Sequence, residues 1–225
     1  DVVFDNGPTP TVRDQRTAFV AHLDQWGGWT WFKHTGKPND SVGSAHAEEA
    51  TVGPAGVWVC GWITDTITFG EHSVTTGGLY TDSFVALYNM SEETWDLVTT
   101  WGGPSNDYAN GCTATGEGSV YVVGSFRGTA QIGGSQYVSE GGSDMYVLKV
   151  DSMGEFSWVQ AWGGSYNDNL TAITIDSIEN AYIVGHYRDN VLDWPSNHNV
   201  TAGRPYNGFV SKVNPAGTFQ WSRDI

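Results

Sequence analysis

The chain has 225 residues, including 29 Gly, 11 Trp, 10 Tyr and 9 Phe, and only 16% of its residues are charged. This mixture is typical of many short strands joined by tight turns, so the composition predicts an all-β protein. The net charge of −15 would repel a polyanion over most of the surface, and we expect no nucleic-acid partner. No run of 18 apolar residues occurs, so we expect no membrane insertion.

A tandem repeat of about 63 residues is the strongest pattern in the sequence. Four tryptophans are separated by 64, 63 and 63 residues, and each follows an apolar segment that begins 11 or 12 residues earlier. A second set of large apolar residues lies 14 or 15 residues before those segments. The tryptophans are Trp31, Trp95, Trp158 and Trp221, and the second set is Phe4, Phe69, Ile132 and Trp194.

Each complete repeat is predicted to hold four antiparallel strands, which we name A, B, C and D in chain order. In the last repeat, two hairpins are indicated by apolar runs on either side of the turns at 177–180 and 214–217. The B run is apolar on both faces and ends in glycine in all three complete repeats. The predicted boundaries are a half unit with strands C and D at 1–43 and complete units at 44–106, 107–167 and 168–225.

Four-stranded units of this length are typical of β-propeller blades, because one such sheet cannot bury both of its faces alone. We expect the repeated tryptophan of strand D to fill the space between neighbouring sheets. A ring closed by a blade shared between the two ends of the chain would need strands A and B at the C-terminal end, to join the C and D strands of the first half blade. The predicted order ends with strand D, so we do not expect this chain to close a ring by itself. The expectation is therefore a part of a larger propeller, with further blades or copies of the chain as partners; an open array is the other alternative.

Two stretches resemble the SBBP-type β-propeller repeat family. One joins Trp162–Asp168 to the strand pair at 172–185, and the other joins Trp101–Asp107 to Ser119–Gly124. Glu179 stands where the family usually has a turn glycine, and the corresponding loop at 36–40 has no tryptophan. The resemblance implies a surface or secreted repeat protein and says little about activity.

The sequence contains no nucleophile elbow, zinc-protease helix motif, phosphate loop or calcium-loop consensus. We therefore expect a noncatalytic extracellular or cell-surface scaffold or adhesion module that binds a glycan or a protein through its blade loops. Two alternatives are a propeller enzyme, a lyase or hydrolase with its site on one face, and a virion or cell-surface structural protein. No cofactor is expected, with Ca²⁺ the one ion considered.

Four aromatic residues outside the repeated tryptophan positions are the candidate ligand-binding residues: Trp26, Trp29, Trp62 and Tyr206. Flat rings can stack on sugar faces while neighbouring polar groups bind the hydroxyls. Local packing of the same rings is the competing interpretation.

Three aspartates recur at the entrance to strand A, each directly after an asparagine: Asp40, Asp107 and Asp168. They could ligate Ca²⁺, or they could accept backbone N–H bonds and fix the turn between units. The second role is favoured because one carboxylate per loop gives Ca²⁺ few charged ligands. Cys60 and Cys112 are expected to face one another across a unit boundary, as one disulfide or as two buried thiols.

Overall fold

The described part of the chain is built from antiparallel strands, as the composition predicts. The computed structural model describes residues 17–36, 43–77, 79–188, 191–192, 194 and 207–225. Phe4, Asp40 and Tyr206 lie outside these residues. No helix within the described residues is long and apolar enough to cross a membrane.

Within the described residues, seventeen strands follow one another. The first eight are β1 (Phe19–Leu23), β2 (Trp29–His34), β3 (Ser44–Gly53), β4 (Gly56–Thr64), β5 (Thr66–Phe69), β6 (His72–Thr75), β7 (Asp82–Asn89) and β8 (Thr94–Trp101). The others are β9 (Tyr108–Ala114), β10 (Val120–Ile132), β11 (Ser135–Val150), β12 (Phe156–Gly164), β13 (Asn169–Ile175), β14 (Ala181–Tyr187), β15 (Val191–Leu192), β16 (Asn207–Val213) and β17 (Phe219–Asp224).

Three larger sheets each contain four main strands that lie across the sheet in the order in which they occur in the chain, and a hairpin of β1 and β2 precedes them. The first sheet is β3-β4-β7-β8. The chain between its second and third strands forms a separate small hairpin, β5-β6. The second is β9-β10-β11-β12, with β15 paired to the edge of β12, and the third is β13-β14-β16-β17. The second strand of each sheet corresponds to the predicted strand B.

The sheets bury their apolar faces against one another, which explains why strand B is apolar on both sides. In β10, Val122 contributes to the core shared with the first sheet, whereas the next residue, Val123, contributes to the core shared with the third. A further core joins the β1-β2 hairpin to the first sheet. Phe69, Ile132 and Trp194, the predicted second anchors, are each buried in a different one of these cores.

The repeated tryptophans of strand D do pack between sheets at two of their positions. Trp31 of β2 lies 5.0 Å from the ring of Tyr88 in the next sheet, measured between ring centroids. Trp158 of β12 donates its indole N–H to the carbonyl of Pro215, which precedes β17, over 3.0 Å. Trp221, in the last strand described, contacts Tyr182 of its own sheet at 6.1 Å.

Equivalent positions of neighbouring units are also in direct contact. The backbone N–H of Cys112 donates to the carboxylate of Glu49 over 2.9 Å, and that of Ala114 donates to the hydroxyl of Thr51 over 3.2 Å. Both pairs are 63 residues apart, which is one repeat. The first strands of the sheets, β3 and β9, therefore lie side by side, and β13 in turn lies against β9.

Candidate functional site

A row of polar and aromatic residues crosses the three sheets where their first two strands pair. His46 pairs with Trp62, Tyr108 with Ser125, and Asn169 with His186. We call these six residues the strand-end row. Two contacts join members of the row to a neighbouring sheet: Trp62 meets Tyr108 edge to face, and Asn169 accepts from the side chain of Asn110 in β9 over 2.7 Å.

A glycine precedes the second member of each pair and explains the local backbone. A β-carbon at Gly61 would lie 1.9 Å from the carbonyl oxygen of His46, and one at Gly124 would lie 1.9 Å from that of Tyr108. A β-carbon at Gly185 would lie 2.2 Å from the carbonyl oxygen of Asn169. Only glycine permits this approach, and a β-bulge lies beside each of these glycines.

Trp62 is the centre of the best-defined cluster on this row. Its ring stacks on the imidazole of His46 with a centroid distance of 5.1 Å and an interplanar angle of 4°. Its indole N–H donates to Oε1 of Glu48 over 3.1 Å, and Nδ1 of His46 lies 3.0 Å from the same oxygen. Tyr108 completes the cluster, with its ring perpendicular to that of Trp62 and the two centroids 6.2 Å apart. We call these four residues the Trp62 cluster.

The cluster combines a flat apolar surface with an oriented carboxylate. The side chains of His46 and Glu48 are 47% and 34% exposed, so the cluster is accessible to solvent. Oε1 of Glu48 is held by two neighbours. Trp62 is half-buried and one face of its ring is covered by His46. The cluster therefore holds a carboxylate in a fixed orientation beside aromatic side chains, which suits a polyhydroxylated or cationic ligand.

Of the predicted aromatic residues, Trp26, Trp29 and Trp62 are described, and the structure does not bring the first two against Trp62. Trp26, in the turn between β1 and β2, is 83% exposed, and Trp29 at the start of β2 is half-buried. Within the described residues, neither makes a ring contact with Trp62. The sequence pattern did not single out His46, Glu48 and Tyr108 as site residues. Two of them, His46 and Tyr108, lie near the start of strand A, opposite the residue that follows the strand B glycine, and could have been found from that pairing.

Asp107 and Asp168 are buried and accept backbone hydrogen bonds in the same pattern. Asp107 receives the N–H groups of Gly103 and Arg127 over 2.7 and 3.0 Å. Asp168 receives those of Gly164 and Arg188, both over 2.8 Å. These bonds tie the loop that enters strand A to the end of strand B, which favours the structural interpretation of both residues. Burial raises the pKa of Asp107 to about 7 and that of Asp168 above its usual range.

A second carboxylate, which the sequence pattern missed, accompanies each of these aspartates. Asp82, at the start of β7, lies near Asp107, and Asp144 in β11 lies near Asp168. Burial is the largest cause that raises the pKa of Asp82 to about 6 and that of Asp144 to about 7. The charge of Asp168 adds to the rise at Asp144, so these carboxylates compete for ionisation.

The cysteine pair and a possible metal site were the two remaining candidates for chemistry. Cys60 and Cys112 are free thiols, both buried in the core between the first and second sheets, so no disulfide joins them. Across the described part of the chain, no three side chains of His, Cys, Asp or Glu are grouped as ligands for a metal ion.

Comparison with known proteins does not assign the chain to a family. No family model matches the chain, and no curated protein matches it either.

Proposed function

We propose that this chain is a noncatalytic binding module of an extracellular or cell-surface protein, and that its Trp62 cluster binds a glycan. The observation that carries the proposal is the parallel stack of Trp62 on His46, with Glu48 fixed at its edge. An aromatic ring can cover the C–H face of a sugar while a nearby carboxylate oxygen accepts from its hydroxyls.

The sheets are proposed to be blades of a β-propeller. In support, the first strands of successive sheets lie side by side, and equivalent positions 63 residues apart hydrogen-bond to one another. The resemblance of Trp101–Asp107 and Trp162–Asp168 to SBBP-type repeats points the same way. In a propeller the first strands surround the axis, so the strand-end row would border the central opening, where propeller ligands commonly bind.

Neighbouring residues of the row supply the polar groups that a sugar requires. The side chains of Asn110 and Asn169 contact each other, next to Tyr108. Amide groups both donate and accept, so they match hydroxyl groups of either orientation. A ligand of two or three sugar units could contact the Trp62 cluster and these amides together. Protein ligands and a purely structural role are the competing proposals.

A glycan array, followed by calorimetric titration of the best ligand, tests the proposal. We expect Trp62→Ala to weaken binding at least tenfold and Glu48→Gln to weaken it severalfold, because the first removes the stacking surface and the second one charged acceptor. Trp26→Ala is the matched control, since it removes an equally large ring from a residue that is 83% exposed and lies in the turn between β1 and β2.

The control also decides which aromatic residue matters. If Trp26→Ala abolishes binding while Trp62→Ala does not, the site is on the β1-β2 turn and the Trp62 cluster is not the site. If the array gives no ligand at all, the glycan proposal is wrong and a structural role is favoured.

A further inference from the structure

One side of the third sheet repeats an apolar surface that is buried in the second sheet. Three residues of β10 and β11 belong to the core shared with the third sheet and are fully buried: Tyr121, Val123 and Val147. One repeat later, Tyr182, Val184 and Val210 hold the same positions, and the two valines pair across strands as their counterparts do. These three residues are only half-buried. We call the side that carries them the outer face.

The polar groups of the outer face differ from their counterparts in the same way. The hydroxyl of Tyr121 donates to the backbone carbonyl of Glu179, in the third sheet, over 3.2 Å. At the equivalent position, Tyr182 donates instead to Asp176 of its own sheet, also over 3.2 Å. The indole N–H of the repeated tryptophan in β12 reaches the third sheet, whereas that of Trp221 makes no hydrogen bond within the described residues. The outer face therefore resembles one half of an interface between sheets.

The β1-β2 hairpin carries the other half of such an interface. The aromatic residue that opens strand C is fully buried against the preceding core in all three sheets, as Phe84, Tyr146 and Phe209. Phe19 holds this position in β1, where it stacks on Phe32 and is still 50% exposed. The next residue, Val20, points to the opposite side and packs in the core with the first sheet. We call the side that carries Phe19 the hairpin face.

We propose that the outer face of one copy of this chain binds the hairpin face of a second copy, head to tail. Each interface inside the chain joins the valine side of one strand C to the aromatic side of the next, and the two faces are the missing partners in that scheme. The hairpin already packs against a four-stranded sheet in the same chain, so a two-stranded element can form this kind of core. Such a heterologous contact uses a different surface on each copy.

The contact does not depend on the proposed glycan function, because the Trp62 cluster lies in the first two sheets. Sedimentation of the unsubstituted chain over a range of concentrations tests it directly. We expect a mean mass that rises above 24.4 kDa with concentration. Salt at about 0.3 M screens the repulsion that the net charge of −15 causes between copies.

Two lysine substitutions test which faces meet. Val210→Lys alters the outer face and Phe19→Lys alters the hairpin face, and both make the net charge less negative, so weaker association cannot be ascribed to added repulsion. Each variant alone should associate at least tenfold more weakly. An equimolar mixture should restore a one-to-one dimer, because each variant keeps one intact face. Val52→Lys is the matched control, since Val52 in β3 is 69% exposed, and it should leave association unchanged.

Three results would overturn the proposal. A mass that stays at 24.4 kDa up to about 100 µM would exclude it, because an interface with a Kd of about 1 µM would then be almost fully occupied. Unchanged association of Val210→Lys would show that the outer face is not used. Self-association of Phe19→Lys at full strength would show that two outer faces pair with each other. If Val210→Lys does not fold, Trp221→Lys replaces it, and the concentration series on the unsubstituted chain holds in either case.

Discussion

The hydroxyl of Tyr146 lies 3.1 Å from Oγ of Ser83, a residue one repeat earlier and in the neighbouring sheet. The same hydroxyl lies 3.0 Å from the carbonyl oxygen of Tyr108 and donates to it. Tyr146 is fully buried, so both contacts are shielded from water. One phenol thus joins the third strands of two sheets and the first strand of its own.

Tyr146→Phe should therefore destabilise the protein. The substitution leaves the Tyr108 carbonyl and the Ser83 hydroxyl without this partner inside the core, and we expect a loss of about 1–3 kcal/mol in the free energy of unfolding. Tyr137→Phe is the matched control. Tyr137 is half-buried and its hydroxyl makes no hydrogen bond within the described residues, so the substitution should change stability by less than about 0.5 kcal/mol. Urea denaturation measures both. Equal effects of the two substitutions would contradict the role assigned to Tyr146.

A glycine in the last hairpin is predicted to be intolerant of a side chain for two separable reasons. Gly217 has a φ of +81°, and a β-carbon there would lie 2.7 Å from Cδ2 of Trp158 in the preceding sheet. Gly134 has a similar φ of +76° but open space around the same position. Gly134→Ala should cost about 1–2 kcal/mol from backbone strain alone. Gly217→Ala should cost clearly more, because the tryptophan must also move.

Thermal unfolding of the two glycine variants tests this difference. A lower Tm for Gly217→Ala than for Gly134→Ala is expected. Tryptophan fluorescence provides an independent observation, since only the Gly217 variant should alter the environment of Trp158. If both variants lose the same stability, the contact between Trp158 and the last hairpin contributes nothing.

The two cysteines should be unreactive while the protein is folded. Burial is the largest cause that raises the pKa of Cys60, and Cys112 and the charge of Glu49 raise it further. Because the thiolate is the reactive form, we expect a thiol reagent at pH 8 to label neither cysteine in the native chain and both in denaturant. No labelling in denaturant without a reductant would indicate a disulfide, contrary to the free thiols of the structure. A reduced and denatured sample is the control.

The repeat period allowed the strand order to be anticipated, but side-chain partners across strands were harder to foresee. Trp31 and Trp158 pack between sheets as the repeat predicts, whereas Trp221, at the same spacing, contacts its own sheet. The pairing of Trp62 with His46 depends on a bulge in β3, which shifts the register by one residue. Nothing in the sequence of β3 indicates this bulge, and the only sign of it is the glycine opposite it in β4. Local sequence therefore predicts the positions of the strands better than it predicts which side chains contact one another across neighbouring strands.

The carboxylate pairs were missed for a similar reason. Asp107 was found because it follows the same asparagine in each loop, whereas Asp82 begins a strand 25 residues earlier and shares no local motif with it. The loop and this strand start are brought together by hydrogen bonds between Thr81 and the residues Asn106 and Asp107. Such contacts are set by tertiary docking, which a single sequence does not reveal.

Stability should fall as the pH rises through the range in which the aspartate pairs ionise. The folded-state pKa is about 6 for Asp82 and about 7 for Asp107, both above the usual value of 3.8. The folded state therefore binds more protons than the unfolded state between about pH 4 and pH 7. Each such carboxyl contributes a slope of about −1.4 kcal/mol per pH unit to the free energy of unfolding. The stabilisation is present below about pH 4 and is lost by about pH 7.

Asp82→Asn should flatten this profile. The amide has no proton to lose in this range, and removing the charge of Asp82 also removes one cause of the raised pKa of Asp107. Urea denaturation in a chelator from pH 4.5 to 7.5 measures the slope, and this window avoids the titration of Asp176, whose pKa hydrogen bonds lower to about 2. Asp96→Asn should keep the slope of the unsubstituted chain, since Asp96 is exposed in β8. Stability that rises with pH across the window would show that the Asp82–Asp107 pair is ionised in the folded state without penalty.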